Sequence, residues 1–492
     1  MKAKAIKLLS FFLALLMLVP LIASCSKGGT PPSNEDGADE NDSSVDYQAI
    51  LGFGPEDNQD YKFTILVSDS DSYEHLSKEL NSNFVNDAVF KRNIAVEEFF
   101  KIKLNVIETP GNYFDRANFK KVVEGPIISG QHEHDLVVGV MGAIANIEPT
   151  TLFLPVQDIE YIDLDKEWWV ANQFEDLSVE GKLFTLFGDM NLTLYSEIHT
   201  FIFNEQMISN NSLVSPYQRI KDNTWIYSNV VKDSIIVGSG DGDEVIELEE
   251  DTFGMIGTVN PQRALKTGFN LSILQRNPST GQWFFPSALD QTYINAYMMV
   301  YDAFMSHEYN GFQEAEDDDY TESLTAMAQD RCLYLPSYNH FITNPILTGM
   351  EGDFGVVPYP KLNADQSRYY CQVATGSTCT LFPKTLTDTT LSAKVATYMS
   401  YVGSEMVAKP YFDNYLKERL ARSPAMQEML DLVRDSAVIS ADSYYPFGLL
   451  TLFEVSYVEY NQFGSGISDE YTRGFQGLKS DLKKLRHAYM TS

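Results

Sequence analysis

Residues 61–67, 102–107 and 134–140 are YKFTILV, IKLNVI and HDLVVGV, three apolar runs with the length and composition of β-strands. Residues 85–100 and 113–123 lie between these runs and carry apolar side chains at helical spacing. This order predicts a β-α-β-α-β unit with a parallel sheet. The uninterrupted apolar character of the third run is typical of a strand that is buried on both faces. We therefore expect an α/β fold.

The ends of these strands are the expected place for a ligand. In open parallel sheets, ligands approach the carboxyl ends of the strands. Here those ends lie in the neighbourhoods of Ser68 and Asp69, of Thr109 and Pro110, and of Gly139 and Val140. Later in the chain, residues 393–402 and 423–434 also have helical periodicity, the second with Ser423 as a candidate N-cap.

The first 25 residues form an export signal. Lys2, Lys4 and Lys7 precede an apolar run at 8–21, and small residues then lead to Cys25. A basic start and a short apolar run are typical of a secretory signal peptide. We expect residues 1–24 to be removed and Cys25 to be acylated, by palmitate-like chains that hold the protein on the extracytoplasmic face of the cell membrane. The alternative is a signal peptide with an accidental cysteine.

Residues 25–59 are predicted to be a flexible, lipidated linker. They are rich in Gly, Pro, Ser, Asn and acidic side chains, with almost no aliphatic cluster before Ile50. Such a segment buries too little apolar surface to offset its chain entropy. The linker would let the folded part move over the membrane surface.

The overall composition is that of a large globular protein, with 44% hydrophobic and 13% aromatic residues. The chain beyond the linker, about 430 residues, is long enough for two lobes with separate cores. Removing residues 1–24 deletes three lysines and no acid, so the formal charge moves from −32 to −35. This charge argues against nucleic acid as a partner.

The cysteines give little information about disulfides. With Cys25 acylated, Cys332, Cys371 and Cys379 leave an odd number, so at most one intrachain disulfide can form. Cys371 and Cys379 could pair across a hairpin, but we expect three buried thiols. The sequence has no Cys-x-x-Cys motif and no zinc-finger spacing.

Six motifs resemble, in order, those of one protein family. The chain is similar to the extracellular solute-binding lipoproteins of carbohydrate ABC importers, family 1, of the maltose-binding-protein-like kind. The resemblance covers nearly the whole mature chain. The motifs follow the lipoprotein signal and are VEEFFKIKL at 96–104, HDLVV at 134–138, GKLFTL at 181–186, IFNEQM at 202–207, RCLYLPSY at 331–338 and DFGVVPYPK at 353–361.

The resemblance implies a two-lobed fold of the periplasmic-binding-protein type II. Each lobe would be a mostly parallel sheet flanked by helices, and several hinge crossings would join the lobes and let them close on a ligand. By analogy, the first lobe takes residues 60–200 and 335–383. The second takes residues 201–334 and 384–492.

Carbohydrate recognition favours aromatic platforms beside carboxylates and amides, because a sugar has apolar faces and hydroxyls that donate and accept. Consecutive tryptophans cannot both face one core from an extended strand. For every candidate, the alternative is packing in the core. The candidate ligand-binding residues are Asp69, Tyr73, Trp168, Trp169, Asp189, Tyr195, Trp225, Trp283 and Tyr338.

Metal binding is not expected. His132, Glu133 and His134 lack the spacing of a metal-binding helix and directly precede a strand. The acidic loop at 241–251 lies where some relatives carry a calcium-like loop, but its aspartates do not alternate in the required pattern. We expect neither a metal nor a cofactor.

The sequence thus predicts a monomeric, membrane-tethered receptor that captures an oligosaccharide between its lobes and delivers it to the permease subunits of an ABC importer. A receptor for peptides or amino acids on the same fold is the alternative, and a buried arginine or aspartate for the ligand termini would indicate it. A surface glycoside hydrolase, which needs two carboxylates, is a third possibility. The sequence lacks Gly-x-Ser-x-Gly, His-Glu-x-x-His and P-loop motifs, so we predict no enzyme activity and no catalytic residues.

Overall fold

The computed structural model describes residues 45–112, 114–145, 149–240, 242, 247–257, 259–305, 310–312, 320–445, 447 and 466–492. The predicted signal peptide, Cys25, most of the linker and most of the first half of the acidic loop at 241–251 lie outside these residues. Among the helices that are described, none is both long enough and apolar enough to cross a membrane.

The described strands are short and are distributed along the whole chain. They are β1 (Tyr61–Ser68), β2 (Ile102–Thr109), β3 (Leu136–Val140), β4 (His199–Asn204), β5 (Phe253–Gly257), β6 (Gln275–Arg276), β7 (Trp283–Phe284), β8 (Asn310–Phe312), β9 (Cys332–Tyr338), β10 (Phe354–Val357), β11 (Cys371–Gln372), β12 (Thr378–Leu381) and β13 (Ala437–Val438).

Helices connect the strands and follow the last of them. The α-helices are α1 (Tyr47–Leu51), α2 (Phe84–Phe100), α3 (Arg116–Ile128), α4 (Met141–Ile144), α5 (Pro149–Leu152), α6 (Gln173–Leu177), α7 (Thr193–Ser196), α8 (Glu205–Asn210), α9 (Pro216–Lys221), α10 (Tyr227–Val237), α11 (Val259–Gly268), α12 (Gln291–Met305), α13 (Thr321–Ala328), α14 (Pro345–Thr348), α15 (Thr390–Gly403), α16 (Pro424–Asp435), α17 (Ala441–Tyr444) and α18 (Ile467–Thr491). The 3₁₀ helices are Asp69–Glu74, Val156–Asp158 and Asn339–Thr343, and Ser404–Ala408 and Tyr411–Leu420 are π-helical.

The first sheet has four strands in the order β12-β3-β1-β2. β1 runs parallel to β2 along its whole length and parallel to β3. The predicted β-α-β-α-β unit is confirmed. β12 adds to the outer side of β3 in the antiparallel direction, so a segment from late in the chain completes this sheet.

The second sheet has five strands in the order β10-β4-β9-β5-β8. β5 runs parallel to β9 and β8, whereas β4 runs antiparallel to both β10 and β9. Four of its five strands therefore run in the same direction and only β4 is reversed, so the prediction of mostly parallel sheets is confirmed for both sheets. No βαβ crossover joins β4 to a neighbouring strand, so no such connection requires it to run parallel.

Two late segments of the chain pack against early ones. β10 pairs with β4 in the second sheet. α15 packs on α2 beside the first sheet. The ring of Tyr398 on α15 stacks on Phe99 of α2 with a centroid distance of 3.9 Å. Both contacts join residues that are far apart in sequence.

The three described cysteines, Cys332, Cys371 and Cys379, are free and buried, which confirms the expectation of three buried thiols. Burial raises the pKa of the Cys332 and Cys371 thiols to about 12. The three side chains are therefore packing groups rather than reactive thiolates at neutral pH.

Gly254 in β5 is placed where the sheet meets α10. A Cβ atom at this position would lie 2.0 Å from the carbonyl oxygen of Ser234 on that helix. We predict that Gly254→Ala lowers the free energy of unfolding by about 1–3 kcal/mol, because a backbone contact cannot yield as a side chain can. Urea denaturation measures this loss. Gly474→Ala in α18, where a Cβ meets no atom within 4 Å, should raise stability instead. Equal effects of the two variants would contradict the close approach.

Candidate functional site

The loops that follow β1 and β2 are tied together at the carboxyl end of the first sheet. The Asp69 carboxylate accepts the backbone N–H of Gly111 at 3.3 Å, and the Ser70 hydroxyl donates to Asp71 at 2.6 Å. A Cβ on Gly111 would lie 2.5 Å from the ring of Phe119, so the loop passes too close to α3 for a side chain. This packing fixes the 3₁₀ helix Asp69–Glu74 above the sheet.

The loop after β9 of the second sheet faces this 3₁₀ helix. His340 Nδ1 lies 2.9 Å from Glu197 Oε1, and Glu197 is in the segment that crosses from α7 to β4. The side-chain amide of Asn339 donates to the carbonyl oxygen of Tyr195 at 3.1 Å. The loop after β9 is thereby held against the crossing segment.

The pKa of Asp71 depends on charged side chains from both loops. Burial raises the pKa of its carboxyl to about 6, against the hydrogen bond from Ser70, and the carboxylates of Glu197 and Asp69 raise it further while His340 lowers it. Residues from both sheets' loops are therefore close enough to interact. We define Asp69, Asp71, Tyr73, Glu197, Tyr338 and His340 as the cleft cluster.

Aromatic rings form one wall of the cleft cluster. Tyr338 is tilted against His199, with a centroid distance of 4.4 Å, and stacks on His340 at 5.3 Å with an interplanar angle of 13°. His199 is buried, and burial lowers its pKa to about 3, so its ring is neutral. Tyr73, at the end of the 3₁₀ helix, is 44% exposed. Its ring is accessible to a ligand, whereas Tyr338 is mostly covered.

Asp189 and Tyr195 form a hydrogen-bonded pair that is connected to the loop after β9. The Tyr195 hydroxyl donates to Asp189 at 2.6 Å. Burial raises the pKa of Asp189 to about 6, and the hydrogen bond from Tyr195 opposes this rise. Since the Tyr195 carbonyl accepts from Asn339, this pair is joined to the loop that carries His340.

Trp168 and Trp169, two of the candidate ligand-binding residues, pack in the core, which is the alternative that the sequence left open. They are 3% and 4% exposed. Trp168 meets the ring of Tyr401 edge-on at 5.4 Å, and a Cβ on Gly188 would lie 2.2 Å from the ring of Trp169. Both can be buried because they do not lie in a regular strand: Trp168 is in a turn, and Trp169 forms an isolated β-bridge with Gly188.

Trp225 and Trp283 lie apart from the cleft cluster. Trp225 is fully buried, and its indole N–H donates to the carbonyl of Pro358 at 2.8 Å. Trp283 in β7 is half-buried, its N–H donates to the carbonyl of Ser178 at 2.8 Å, and Arg276 covers its ring. Both indoles are thus occupied by structural contacts.

Three members of the cleft cluster were not among the sequence candidates. Asp71 and His340 each lie two residues after a candidate, Asp69 and Tyr338, so a wider window after the strands would have included them. Glu197 has no local signal, since it lies between a short helix and an apolar strand. No group of three or more His, Cys, Asp or Glu side chains in the described part of the chain has the arrangement of a metal site.

No protein-family model and no curated protein sequence matches this chain. Several solved structures are similar in fold. The GacH receptor of Streptomyces glaucescens, solved unliganded and with acarbose, shares 11% identity over 86% of this chain and 99% of its own, with a TM-score of 0.52. An ABC transporter solute-binding protein of Agrobacterium radiobacter, in complex with ribitol, shares 10% identity over 88% and 100%, with a TM-score of 0.51.

A sugar transporter of Rhizobium etli in an open conformation shares 10% identity over 87% of this chain and 99% of its own, with a TM-score of 0.51. At such identities the likeness shows the fold alone. The chain has the α/β fold of these two-lobed solute-binding proteins, so the predicted fold class is confirmed, and the resemblance to the family is confirmed at the level of the fold.

Proposed function

We propose that this protein is the substrate-binding receptor of an ABC importer and that it captures a carbohydrate at the cleft cluster. The observation that carries the proposal is the convergence of Asp71, from the loop after β1, with Glu197 and His340, from the crossing segment and the loop after β9. These loops belong to two sheets, and a ligand between them would be contacted from both sides. In the structures of similar fold, the bound molecules named are acarbose and ribitol.

The chemistry of the cleft cluster suits a polyhydroxylated ligand. Carboxylates accept hydrogen bonds from sugar hydroxyls, the His340 imidazole donates or accepts, and the exposed ring of Tyr73 can cover an apolar sugar face. Closure of the two halves would exclude water and join these groups around one ligand. The protein would bind its ligand and leave it chemically unchanged.

The location and the partners follow from the same proposal. Acylation at Cys25 would tether the protein on the extracytoplasmic face of the membrane, where permease subunits take over the ligand. The protein would act as a monomer without a cofactor. We further propose that the first lobe comprises the first sheet with α2 and α15, and that the second lobe comprises the five-stranded sheet including β10.

Thermal unfolding of the protein without residues 1–24 tests the function. A ligand that binds only the native state stabilises it by about 2.7 kcal/mol at 100 times its Kd. We expect the midpoint to rise with one class of oligosaccharide in a panel that also contains amino acids and short peptides. A rise with peptides alone would favour the peptide receptor, and no rise with any sugar would contradict the proposal.

Tyr73→Ala should weaken binding of the sugar so identified by about tenfold, because the exposed ring would lose its contact with the sugar face. Its own midpoint without ligand should hardly change, since the ring is 44% exposed. Calorimetric titration measures the affinity. Tyr61→Ala is the matched control, because Tyr61 is 41% exposed and lies at the opposite end of β1. Equal affinities of the two variants would move the site away from Tyr73.

A further inference from the structure

The helix α18 has an apolar side and a basic side. Its buried side chains recur at intervals of one or two turns and are Ile467, Tyr471, Leu478, Leu482 and Tyr489. Lys479, Lys483 and Lys484 lie between these positions and are exposed. The side chain of Lys484 is 75% exposed. α18 is therefore held by its apolar side and presents lysines to the solvent.

Two further lysines extend this basic side onto neighbouring segments. Lys182 Nζ donates to the main-chain oxygen of Ser492, directly after α18, at 2.6 Å. Burial lowers the pKa of Lys384, and the positive charge of Lys182 lowers it further, so the two ammonium groups are near each other. We define the basic surface as Lys182, Lys384, Lys479, Lys483, Lys484 and Arg486.

Few carboxylates neutralise the part of the basic surface that α18 contributes. Asp481 lies 2.9 Å from Lys484, and Glu180 forms an ion pair with Arg486. In the part of the chain that the structure describes, no carboxylate forms an ion pair with either of the other two lysines of α18. The three lysines and the arginine therefore have two carboxylate partners between them.

Such a surface is unusual in this chain, which has 68 acidic residues and only 36 lysines and arginines. Residues 479–486 reverse this balance, with four basic residues and one acid. Lys479 and Lys483 are four residues apart on one side of a helix, where like charges repel each other. An anionic partner would relieve this repulsion.

The predicted lipid anchor allows the basic surface to reach a membrane. Tyr47, 22 residues after Cys25, packs on Tyr398 of α15 with a centroid distance of 6.0 Å. Tyr398 and Lys384 are separated by part of α15 and the segment before it, which together span at most roughly 35 Å. A chain as long as the one from Cys25 to Tyr47 reaches at most roughly 75 Å when extended. The length of the linker is therefore sufficient.

We propose that the basic surface binds the anionic headgroups of the membrane to which Cys25 is anchored. The inference goes beyond the proposed function, because it concerns how the receptor lies on the membrane and not which ligand it captures. Each lysine near an anionic membrane strengthens binding about fivefold. The acidic remainder of the protein opposes this contact only weakly, because charges more than a Debye length of about 8–10 Å from the headgroups are screened.

Co-sedimentation with lipid vesicles tests the inference on the full folded protein without residues 1–24. One set of vesicles is pure phosphatidylcholine, and the other contains about 30% phosphatidylglycerol. At low salt, about 50 mM, we expect at least tenfold more protein on the anionic vesicles. The preference should disappear in about 500 mM salt, because the attraction is electrostatic. Equal sedimentation with both kinds of vesicle would overturn the inference.

A triple variant locates the contact on α18. Replacing Lys479, Lys483 and Lys484 by glutamine removes three positive charges from exposed positions. We expect it to lower binding to the anionic vesicles at least tenfold and to leave the thermal midpoint nearly unchanged. A triple variant that binds the anionic vesicles as well as the parent does would overturn the inference.

The matched control changes the net charge by the same amount elsewhere. It replaces three exposed lysines of β1, α2 and α3 by glutamine, namely Lys62, Lys91 and Lys121. This control should bind the anionic vesicles as the parent does. An equal loss in both triple variants would show that net charge alone matters and would overturn the assignment to the basic surface.

A soluble polymer separates the membrane from other anionic partners. If the protein binds polyglycerol phosphate and ignores the vesicles, the partner of the basic surface is an anionic polymer, and the membrane contact is overturned. The sugar-dependent rise of the thermal midpoint should be the same in the α18 triple variant and in the parent. Failure of the vesicle experiment therefore leaves the proposed function standing.

Discussion

Asp442→Ala is expected to lower the free energy of unfolding by about 3–5 kcal/mol, the range for breaking a buried ion pair on one side. Asp442 Oδ2 lies 3.1 Å from Lys266 Nζ, and both side chains are almost completely buried. Its removal leaves the ammonium group without a counter-ion in a place from which water is excluded. Urea denaturation at pH 7 measures the loss.

Asp442 also satisfies backbone groups that would otherwise be buried without partners. Its carboxylate accepts the N–H groups of Ile273 and Leu274, each at 2.9 Å, and the hydroxyl of Ser272 at 2.9 Å. These bonds attach α17 to a loop some 170 residues earlier in the chain. The substitution therefore detaches two distant segments in addition to breaking the ion pair.

Two further variants distinguish this mechanism from a general sensitivity to lost carboxylates. Asp435→Ala removes a carboxylate whose side chain is 70% exposed and should change stability by no more than about 0.5 kcal/mol. Adding Lys266→Met to Asp442→Ala should restore part of the loss, because no unpaired cation remains. A double variant as unstable as the sum of the two single variants would mean that the pair is not coupled.

The first sheet could be predicted because its strands and helices depend on nearby residues. The run 61–67 corresponds to β1, 102–107 to β2 and 85–100 to α2, each within two residues of the observed bounds. The N-cap at Ser423 is likewise confirmed, since its side chain accepts the N–H of Met426. Strand alternation and helix capping are local, so the sequence carries them directly.

The arrangement of the late segments could not be predicted, because contacts between distant residues determine it. β10 pairs with β4 across about 150 residues, and the choice between two sheets depends on which edge is free. α15 has an apolar face that would suit either half, and the stack of Tyr398 on Phe99 decides its position.

The candidate site was predicted in part. Strand ends led to Asp69, Tyr73 and Tyr338, all of which lie in the cleft cluster. The tryptophans were less informative. Trp169 packs on Gly188, and the sequence alone does not distinguish an indole that packs in this way from one that covers a sugar. Glu197 could not be found, since its importance comes only from its distance to His340.

Glu74 should make the stability of this protein fall as the pH rises. Its side chain is fully buried beneath the cleft cluster and accepts the hydroxyl of Thr378 at 3.1 Å, and its backbone oxygen accepts from Arg92. Burial raises the pKa of its carboxyl from 4.5 to about 8, and Asp71 raises it further, although hydrogen bonds from Thr193 and Thr378 oppose the rise. At neutral pH the folded protein therefore holds a proton that the unfolded chain releases.

The sign of the effect follows from this difference in proton binding. Below about pH 4.5 both states hold the proton, and the folded state is not penalised. Between 4.5 and about 8 the unfolded state is favoured increasingly, because only its carboxyl ionises freely. One pKa unit corresponds to about 1.4 kcal/mol, so the penalty reaches roughly 3–5 kcal/mol at the upper end.

Glu74→Gln removes this penalty while keeping the shape of the side chain. We expect the variant to resemble the parent near pH 5 and to be more stable by roughly 3–5 kcal/mol at pH 8.5. Urea denaturation of both proteins at several pH values gives the difference between their free energies of unfolding. The contributions of the other titrating groups are the same in both proteins and largely cancel in this difference. Glu79→Gln, at an exposed position, should show no such trend. A difference that is constant with pH would mean that Glu74 is ionised in the folded protein, with Arg92 as its counter-ion.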